Sequence, residues 1–66
     1  MGFKELLESK DMTASRLSRI LGLSRSAVSA WVSGRTEPNL TTLVQISQTL
    51  DVGIEELVLT FVKKAR

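Results

Sequence analysis

The residues best suited to chemistry are concentrated in one short stretch, residues 22–38, which reads GLSRSAVSAWVSGRTEP. It combines two arginines and four serines with the chain's only tryptophan and only proline, and it contains no acid before Glu37. Guanidinium and hydroxyl groups donate hydrogen bonds, so this composition suits the binding of an anion better than the making or breaking of covalent bonds.

Catalysis is disfavoured by the residue types that the chain lacks. It has no histidine, cysteine or tyrosine, which removes the commonest general base and the commonest metal ligand. It has no glycine-rich phosphate loop, and GLSRS is not a nucleophile elbow because Ser26 stands where that motif requires glycine. We therefore expect no enzyme activity, no metal, no cofactor and no small-molecule ligand.

Charge is distributed unevenly along the chain, although the net charge is only +2. Residues 12–36 contain four arginines and no acid, whereas residues 51–57 contain three acids and no base. Such asymmetry is typical of a surface that meets an anion, and it also arises by chance where charges only keep a surface solvated. The charge pattern by itself leaves both interpretations open.

The length predicts a single domain, residues 1–66, with a marginal core. Domains of this size bury only about 60% of the surface of the unfolded chain, and without cysteine no disulfide can add stability. Association with a second copy is the remaining route, so we expect a homodimer. No apolar run approaches the roughly 20 residues of a membrane span, so we expect a cytoplasmic protein with no membrane partner.

Apolar residues recur at helical spacing along nearly the whole chain, which predicts an all-α fold. The expected helices cover residues 3–10, 14–21, about 25–33, a fourth from about residue 40, and a fifth over about 54–64. Thr13, Ser24 and Asn39 stand where N-caps are needed, and a glycine follows the second and the third helix.

The same spacing predicts which faces of the last two helices are buried. The fourth helix is expected to bury Leu40, Leu43, Val44, Ser47 and Leu50. The fifth carries an amphipathic stripe of Ile54, Leu57, Val58, Phe61 and Val62, with Lys63 and Lys64 in its last turn, and Ile54, Leu57 and Val58 of this stripe are expected in the core. Residues 57–62 are also rich in β-forming types, but their apolar positions do not alternate, so we prefer a helix to a strand.

Only residues 22–24 separate the second and third predicted helices. Two short helices joined by such a glycine-containing turn form a helix-turn-helix. The close contact requires small residues, for which Ser18 and Ala27 are suitable. Leu23 is expected to fill the core beneath the turn, and Trp31 to anchor the third helix from behind.

A set of residues along the chain matches a known family: Leu17, Ser18, the segment LGLS at 21–24, Val28, Trp31, Gly34, Arg35, Pro38, Leu43, Leu50, Val52 and the closing IEEL. Over residues 3–58 this pattern resembles the Cro/cI-type helix-turn-helix family, the Xre-like transcriptional regulators. The resemblance implies a compact five-helix bundle like the DNA-binding domain of lambda repressor. It also implies a partner, double-stranded operator DNA, and a dimeric regulator, foremost a repressor.

The resemblance places the third helix in the DNA major groove, where each base pair presents a distinct pattern of donors and acceptors. By position, the base-facing candidates are Arg25, Ser26, Ser29 and Ala30. Arg25 can donate two hydrogen bonds to guanine, and contact with phosphate alone is the alternative. The serines specify weakly and Ala30 offers only an apolar contact, so we expect modest direct readout supplemented by DNA shape.

The phosphate-contacting candidates are Thr13, Ser24, Arg35, Thr36, Asn39 and Thr41. Arg16 and Arg19 either join them or are only solvated.

Two departures from the family matter. Ala14 replaces a glutamine that clamps a phosphate in many members, and Leu7 with Val32 replaces a charged pair by an apolar contact, an exchange that is often neutral or stabilising.

The expected dimer interface consists of Phe61, Val62 and Val58, and the alternative for Phe61 is packing on the first helix. Three other functions compete with a stand-alone repressor: an antitoxin that represses its own operon, the truncated reading head of a longer regulator, and a module that binds only protein. Salt dependence separates the last of these, because DNA binding releases counterions and an apolar protein contact does not.

Overall fold

The computed structural model describes residues 2–62, and within that range the chain forms five helices and no strand. In chain order these are α1 (Phe3–Ser9), α2 (Ala14–Leu21), α3 (Arg25–Ser33), α4 (Leu40–Leu50) and α5 (Ile54–Leu59). The predicted all-α fold, with a helix-turn-helix at α2 and α3, is confirmed. Between residues 2 and 62, every helix is too short or too polar to cross a lipid bilayer.

Side-chain caps fix where α2, α3 and α4 begin. The hydroxyl oxygens of Thr13 and Ser24 and the amide oxygen of Asn39 each accept a hydrogen bond from the backbone N–H three residues further on, at 3.1, 3.2 and 2.9 Å respectively. Each cap satisfies a backbone donor of the first helical turn and contributes about 1 kcal/mol. All three predicted caps are confirmed.

A left-handed residue comes directly after α2, α3 and α4, and one position later, after Lys10, at the end of α1. These residues are Asp11, Gly22, Gly34 and Asp51, with φ of 55, 71, 84 and 57°. The next residue then donates its N–H back into the last helical turn, as Leu23 does to the Ser18 carbonyl at 2.9 Å. Glycine adopts this conformation freely. The left-handed glycines after α2 and α3 match the prediction, while the left-handed residues after α1 and α4 are aspartates.

The core contains nine buried apolar side chains among the described residues: Phe3, Leu6, Leu7, Leu17, Val28, Trp31, Ile46, Leu50 and Leu57. The most extensive contact between two helices joins α2 to α3. Ser18 is buried there and its hydroxyl donates to the Ser15 carbonyl at 2.8 Å, which confirms the small residue expected at this contact. Leu7 is buried and Val32 packs against the same cluster, so both residues of the apolar replacement join the core.

The buried face of α4 differs from the predicted one. Ile46 is fully buried, although the sequence analysis left it out, and it is joined by Leu50 and by the partly buried Leu43. Leu40 and Val44, predicted to be buried, are 72% and 42% exposed. The apolar spacing on this helix fits two overlapping stripes, and the packing of α4 against its neighbours selects the stripe that contains Ile46.

The helix α5 is shorter than predicted. It ends at Leu59, where Thr60 closes it by donating both its N–H and its hydroxyl to the Leu57 carbonyl, at 3.0 and 2.7 Å. The choice of helix over strand is confirmed for Leu57–Leu59, but the predicted extension to about residue 64 is wrong for residues 60–62. The predicted last-turn cations, Lys63 and Lys64, lie outside the described residues.

Two further residues expected in the core are each 40% exposed, Leu23 and Ile54. Leu23 follows the left-handed Gly22, and at this tight reversal its backbone N–H bonds to the end of α2 while much of its side chain stays in solvent. Ile54 is the first residue of α5, one turn before the fully buried Leu57, and thus lies at the margin of the packed region.

Candidate nucleic-acid interface

The helix α3 has two chemically different faces. Val28 and Trp31 are buried on one face, and Trp31 is the predicted anchor. The four residues predicted to face DNA bases lie elsewhere on the helix: Arg25, Ser26 and Ser29 are exposed and Ala30 is half-buried. Burial of the apolar face therefore orients a mainly polar face outward.

A shallow open depression gathers side chains from this exposed face and from the loop after it. Arg25, Ser26 and Ser29 of α3 line the depression together with Arg35. The structure thus joins three residues predicted to contact bases with one predicted to contact phosphate, while Ala30 does not line it. Two guanidinium groups and two hydroxyls, with no acid among the lining residues, favour an anionic partner that offers hydrogen-bond acceptors.

The N-caps of α2, α3 and α4 retain donors that can reach such a partner. The cap oxygens of Thr13, Ser24 and Asn39 accept from the backbone, so the two hydroxyl protons and the side-chain NH₂ can still donate outward. All three residues are exposed. The first backbone N–H groups and the positive end of the helix dipole lie at the same places, which adds to their affinity for a phosphate.

Arg35 is held by a contact that sequence reasoning missed. Its Nε donates to the Ser33 hydroxyl oxygen at 3.1 Å, and that hydroxyl donates to the Ala30 carbonyl at 3.1 Å. The only sequence signal was a serine two residues before an arginine at the end of a helix, which is too common to single out. The contact of Ser33 with Arg35 therefore follows only from the side-chain geometry.

The remaining phosphate-contacting candidates are exposed but less defined by their surroundings. Thr36 belongs to the closing turn of α3, where its N–H donates to the Ala30 carbonyl at 3.4 Å, and Thr41 lies in the first turn of α4. Arg16 and Arg19 are exposed on α2 and do not line the depression.

The carboxyl of Glu5 has a perturbed pKa, and it does not line this depression. Its own backbone N–H and that of Gly2, the latter at 3.0 Å, donate to the carboxylate and lower its pKa. At pH values above the unfolded-state pKa, the ionised carboxylate therefore stabilises the start of α1. This contribution is lost as the pH falls through the lowered pKa. Within residues 2–62, no three acidic side chains lie close enough together to hold a metal ion.

The residues expected at a dimer interface surround the end of α5. The Phe61 ring packs on Phe3 of α1 with centroids 4.8 Å apart and planes at 36°, which is the alternative that the sequence left open. Phe61 also lines a groove of mixed polarity, together with the apolar Val58, Val62, Pro38 and Leu43 and the acidic Glu37. The part of the groove formed by Val62 is exposed and the part formed by Val58 is half-buried.

Comparison with known proteins agrees with this geometry. A sequence profile described as helix-turn-helix matches residues 3–57. The chain is 39% identical over 54 residues to the HTH-type transcriptional activator BcrR of Enterococcus faecalis, in an alignment that covers 82% of this chain and 26% of that protein. The aligned part is thus about a quarter of the relative. No solved structure matches the chain.

Proposed function

The chain belongs to the Cro/cI-type helix-turn-helix family, and from this premise we propose that it binds double-stranded DNA sequence-specifically and regulates transcription. The observation that carries the proposal is the depression in which Arg25, Ser26, Ser29 and Arg35 meet. Phosphate contacts position a protein on DNA and base-edge contacts specify the sequence. Donors for both kinds of contact lie side by side here.

The length of α3 suits the recognition helix of this proposal. It contains nine residues, and a helix fits the B-DNA major groove, which is about 12 Å wide. Arg25 is its first residue, and residues at the N-terminal end of a recognition helix reach the base edges. In this proposal the guanidinium of Arg25 donates to O6 and N7 of a guanine, and Ser26 and Ser29 add weaker contacts.

Phosphates on either side of the groove are contacted by the capped helix starts and by the loop after α3. Thr13 and Ser24 offer hydroxyls at the starts of α2 and α3, and Asn39 offers an amide at the start of α4. Arg35, Thr36 and Thr41 complete the set. Because these contacts carry no sequence information, they orient α3 and supply affinity that decreases with salt.

We propose further that two copies bind a near-palindromic operator, with half-sites about one helical turn, or roughly 34 Å, apart. The groove beside α5 supports this arrangement, since Val58 and Val62 contribute accessible apolar surface to it beside Glu37. The leading regulatory role is repression, which requires only that the dimer occupies its operator and excludes polymerase. The Enterococcus relative is named a transcriptional activator, which makes activation the second candidate.

The test is to select bound sequences from a random duplex pool at fixed salt, with the wild-type protein and Arg25→Ala in parallel. We expect a two-fold symmetric site from the wild type. Arg25→Ala should relax one symmetric pair of positions, with a loss of about 1–3 kcal/mol in discrimination there. If the wild type enriches no sequence and binds no duplex, the proposed function is wrong.

A further inference from the structure

Arg35, which lines the depression on α3, is hydrogen-bonded to a serine that does not line it, Ser33. We propose that Ser33 is a positioning residue, which fixes the guanidinium of Arg35 for contact with a DNA phosphate beside α3. This inference rests on the proposed DNA binding. It goes beyond it by assigning to Ser33 a role that neither its position in the chain nor the family match provides.

The Ser33 hydroxyl makes two hydrogen bonds, one as acceptor and one as donor. It accepts from Arg35 Nε at 3.1 Å and donates to the Ala30 carbonyl at 3.1 Å. A hydroxyl has one proton, so the bond to the carbonyl directs that proton into α3 and leaves a lone pair for the guanidinium. The last turn of α3 thereby determines where the Arg35 side chain lies.

The backbone of Arg35 is fixed to the same carbonyl. Gly34 takes a left-handed φ of 84°, and the N–H of Arg35 then donates to the Ala30 carbonyl at 3.0 Å. The main chain and the Nε of Arg35 are therefore both tied to α3. Its two terminal NH₂ groups remain able to donate, in the forked geometry that suits a phosphate.

Such a restraint raises affinity without adding charge. A long exposed side chain loses rotamer freedom when it binds, and a side chain that is already held loses less. Removal of the Ser33 hydroxyl should therefore weaken DNA binding even though every formal charge is kept. Removal of Arg35 should weaken binding and also reduce its dependence on salt, because one phosphate contact is lost.

The experiment measures the affinity of the purified chain for two duplexes over a range of salt concentrations, one random in sequence and one recovered by selection. The variants are Ser33→Ala, Ser33→Thr, Arg35→Ala and the double variant Ser33→Ala with Arg35→Ala. Ser47→Ala is the matched control, because the Ser47 hydroxyl makes the same type of bond to the Val44 carbonyl, at 2.8 Å, on a different helix. Thermal unfolding checks that each variant is folded.

We expect Ser33→Ala to weaken binding to both duplexes by about two- to fivefold with an unchanged salt slope. Ser33→Thr should retain wild-type affinity, because it keeps the hydroxyl, and Ser47→Ala should have no effect. In the Arg35→Ala background, Ser33→Ala should cause no further loss. Arg35→Ala alone should reduce the salt slope by about one.

Two results overturn the inference while leaving DNA binding intact. One is wild-type affinity for Ser33→Ala, and the other is an equal loss from Ser33→Ala with and without Arg35, which would indicate a role independent of the arginine. If the wild-type protein binds neither duplex at any salt concentration, the proposed function fails and this inference fails with it.

Discussion

The α2–α3 unit and the α4–α5 pair differ in the residues that cap the starts of their helices and in the residues that follow their ends. In the first unit both helices start with a hydroxyl cap, at Thr13 and Ser24, and both are followed by a left-handed glycine. In the second pair α4 is capped by Asn39, but it is followed by a left-handed aspartate, Asp51, and α5 starts at an uncapped glycine. Local chemistry therefore defines the bounds of α2 and α3 more sharply than it defines the bounds of α4 and α5.

The two regions also differ in how well the apolar spacing of their helices predicts which side chains are buried. In the α2–α3 unit Leu17, Val28 and Trp31 are buried at their helical spacing, while Leu23, in the turn between the helices, is 40% exposed. In the α4–α5 pair, Leu40 and Val44 face solvent and Ile46 takes the central position. A helix that carries apolar residues on more than one face has no unique buried side until a neighbour is packed against it.

The largest predicted effect tests this choice of face. Ile46→Ala should destabilise the protein by about 2–5 kcal/mol, because the side chain is fully buried and its removal leaves a cavity. Leu40→Ala, on the same helix, should change stability by less than about 0.5 kcal/mol, since Leu40 is largely exposed. Urea unfolding of both variants measures the difference, and equal losses would mean that α4 packs through another face.

A smaller effect is expected at the left-handed residues that follow α2 and α4, which are a glycine and an aspartate. Gly22→Ala should cost about 1–2 kcal/mol, because alanine is strained at a φ of 71° even though no atom lies within 4 Å of the added Cβ. Asp51→Gly should act in the opposite direction and stabilise by less, since glycine relieves the strain but gives the unfolded chain more freedom.

Unfolding free energies of Gly22→Ala, Asp51→Gly and the wild type decide this comparison. A stabilising Gly22→Ala would contradict the left-handed assignment at the helix-turn-helix. A destabilising Asp51→Gly would show that the aspartate side chain contributes more than its backbone strain costs.

The smallest effect concerns helix starts. Ser24→Ala should remove the cap of α3 and cost about 1 kcal/mol. Gly53→Ser should supply a missing cap to α5 and stabilise by a few tenths of a kcal/mol, because Gly53 has extended angles and open space around an added Cβ. Thermal unfolding should show a lower Tm for Ser24→Ala and a slightly higher one for Gly53→Ser. A lowered Tm for Gly53→Ser would show that the start of α5 is constrained by something other than its cap.

Much of the candidate interface could be predicted because its signals are local. The caps at Thr13, Ser24 and Asn39 and the glycine ends at Gly22 and Gly34 depend on bonds within a few residues of the chain. These bonds fix the length of α3, and the apolar spacing of Val28 and Trp31 fixes which side is buried. The exposure of Arg25, Ser26 and Ser29 follows from that.

The residues that sequence reasoning misplaced are those whose position depends on distant contacts. Leu23 and Ile54 are apolar, but turn geometry in one case and the margin of the packed region in the other leave them partly in solvent. For Phe61 the sequence left two positions open, and the ring contacts Phe3 at the opposite end of the described chain, a pairing that no local pattern specifies. The same holds for the relay through Ser33, which needs side-chain directions as well as spacing.

The sequence by itself determined the all-α class, the starts and ends of α2 and α3, and the polar face that α3 turns outward. Short-range hydrogen bonds and helical periodicity are sufficient for each of these. Only the tertiary structure decided which face of α4 is buried, where α5 ends, and that Arg35 meets Arg25 in one depression. These features depend on how segments far apart in the chain pack together, and periodicity along one helix carries no information about its neighbour.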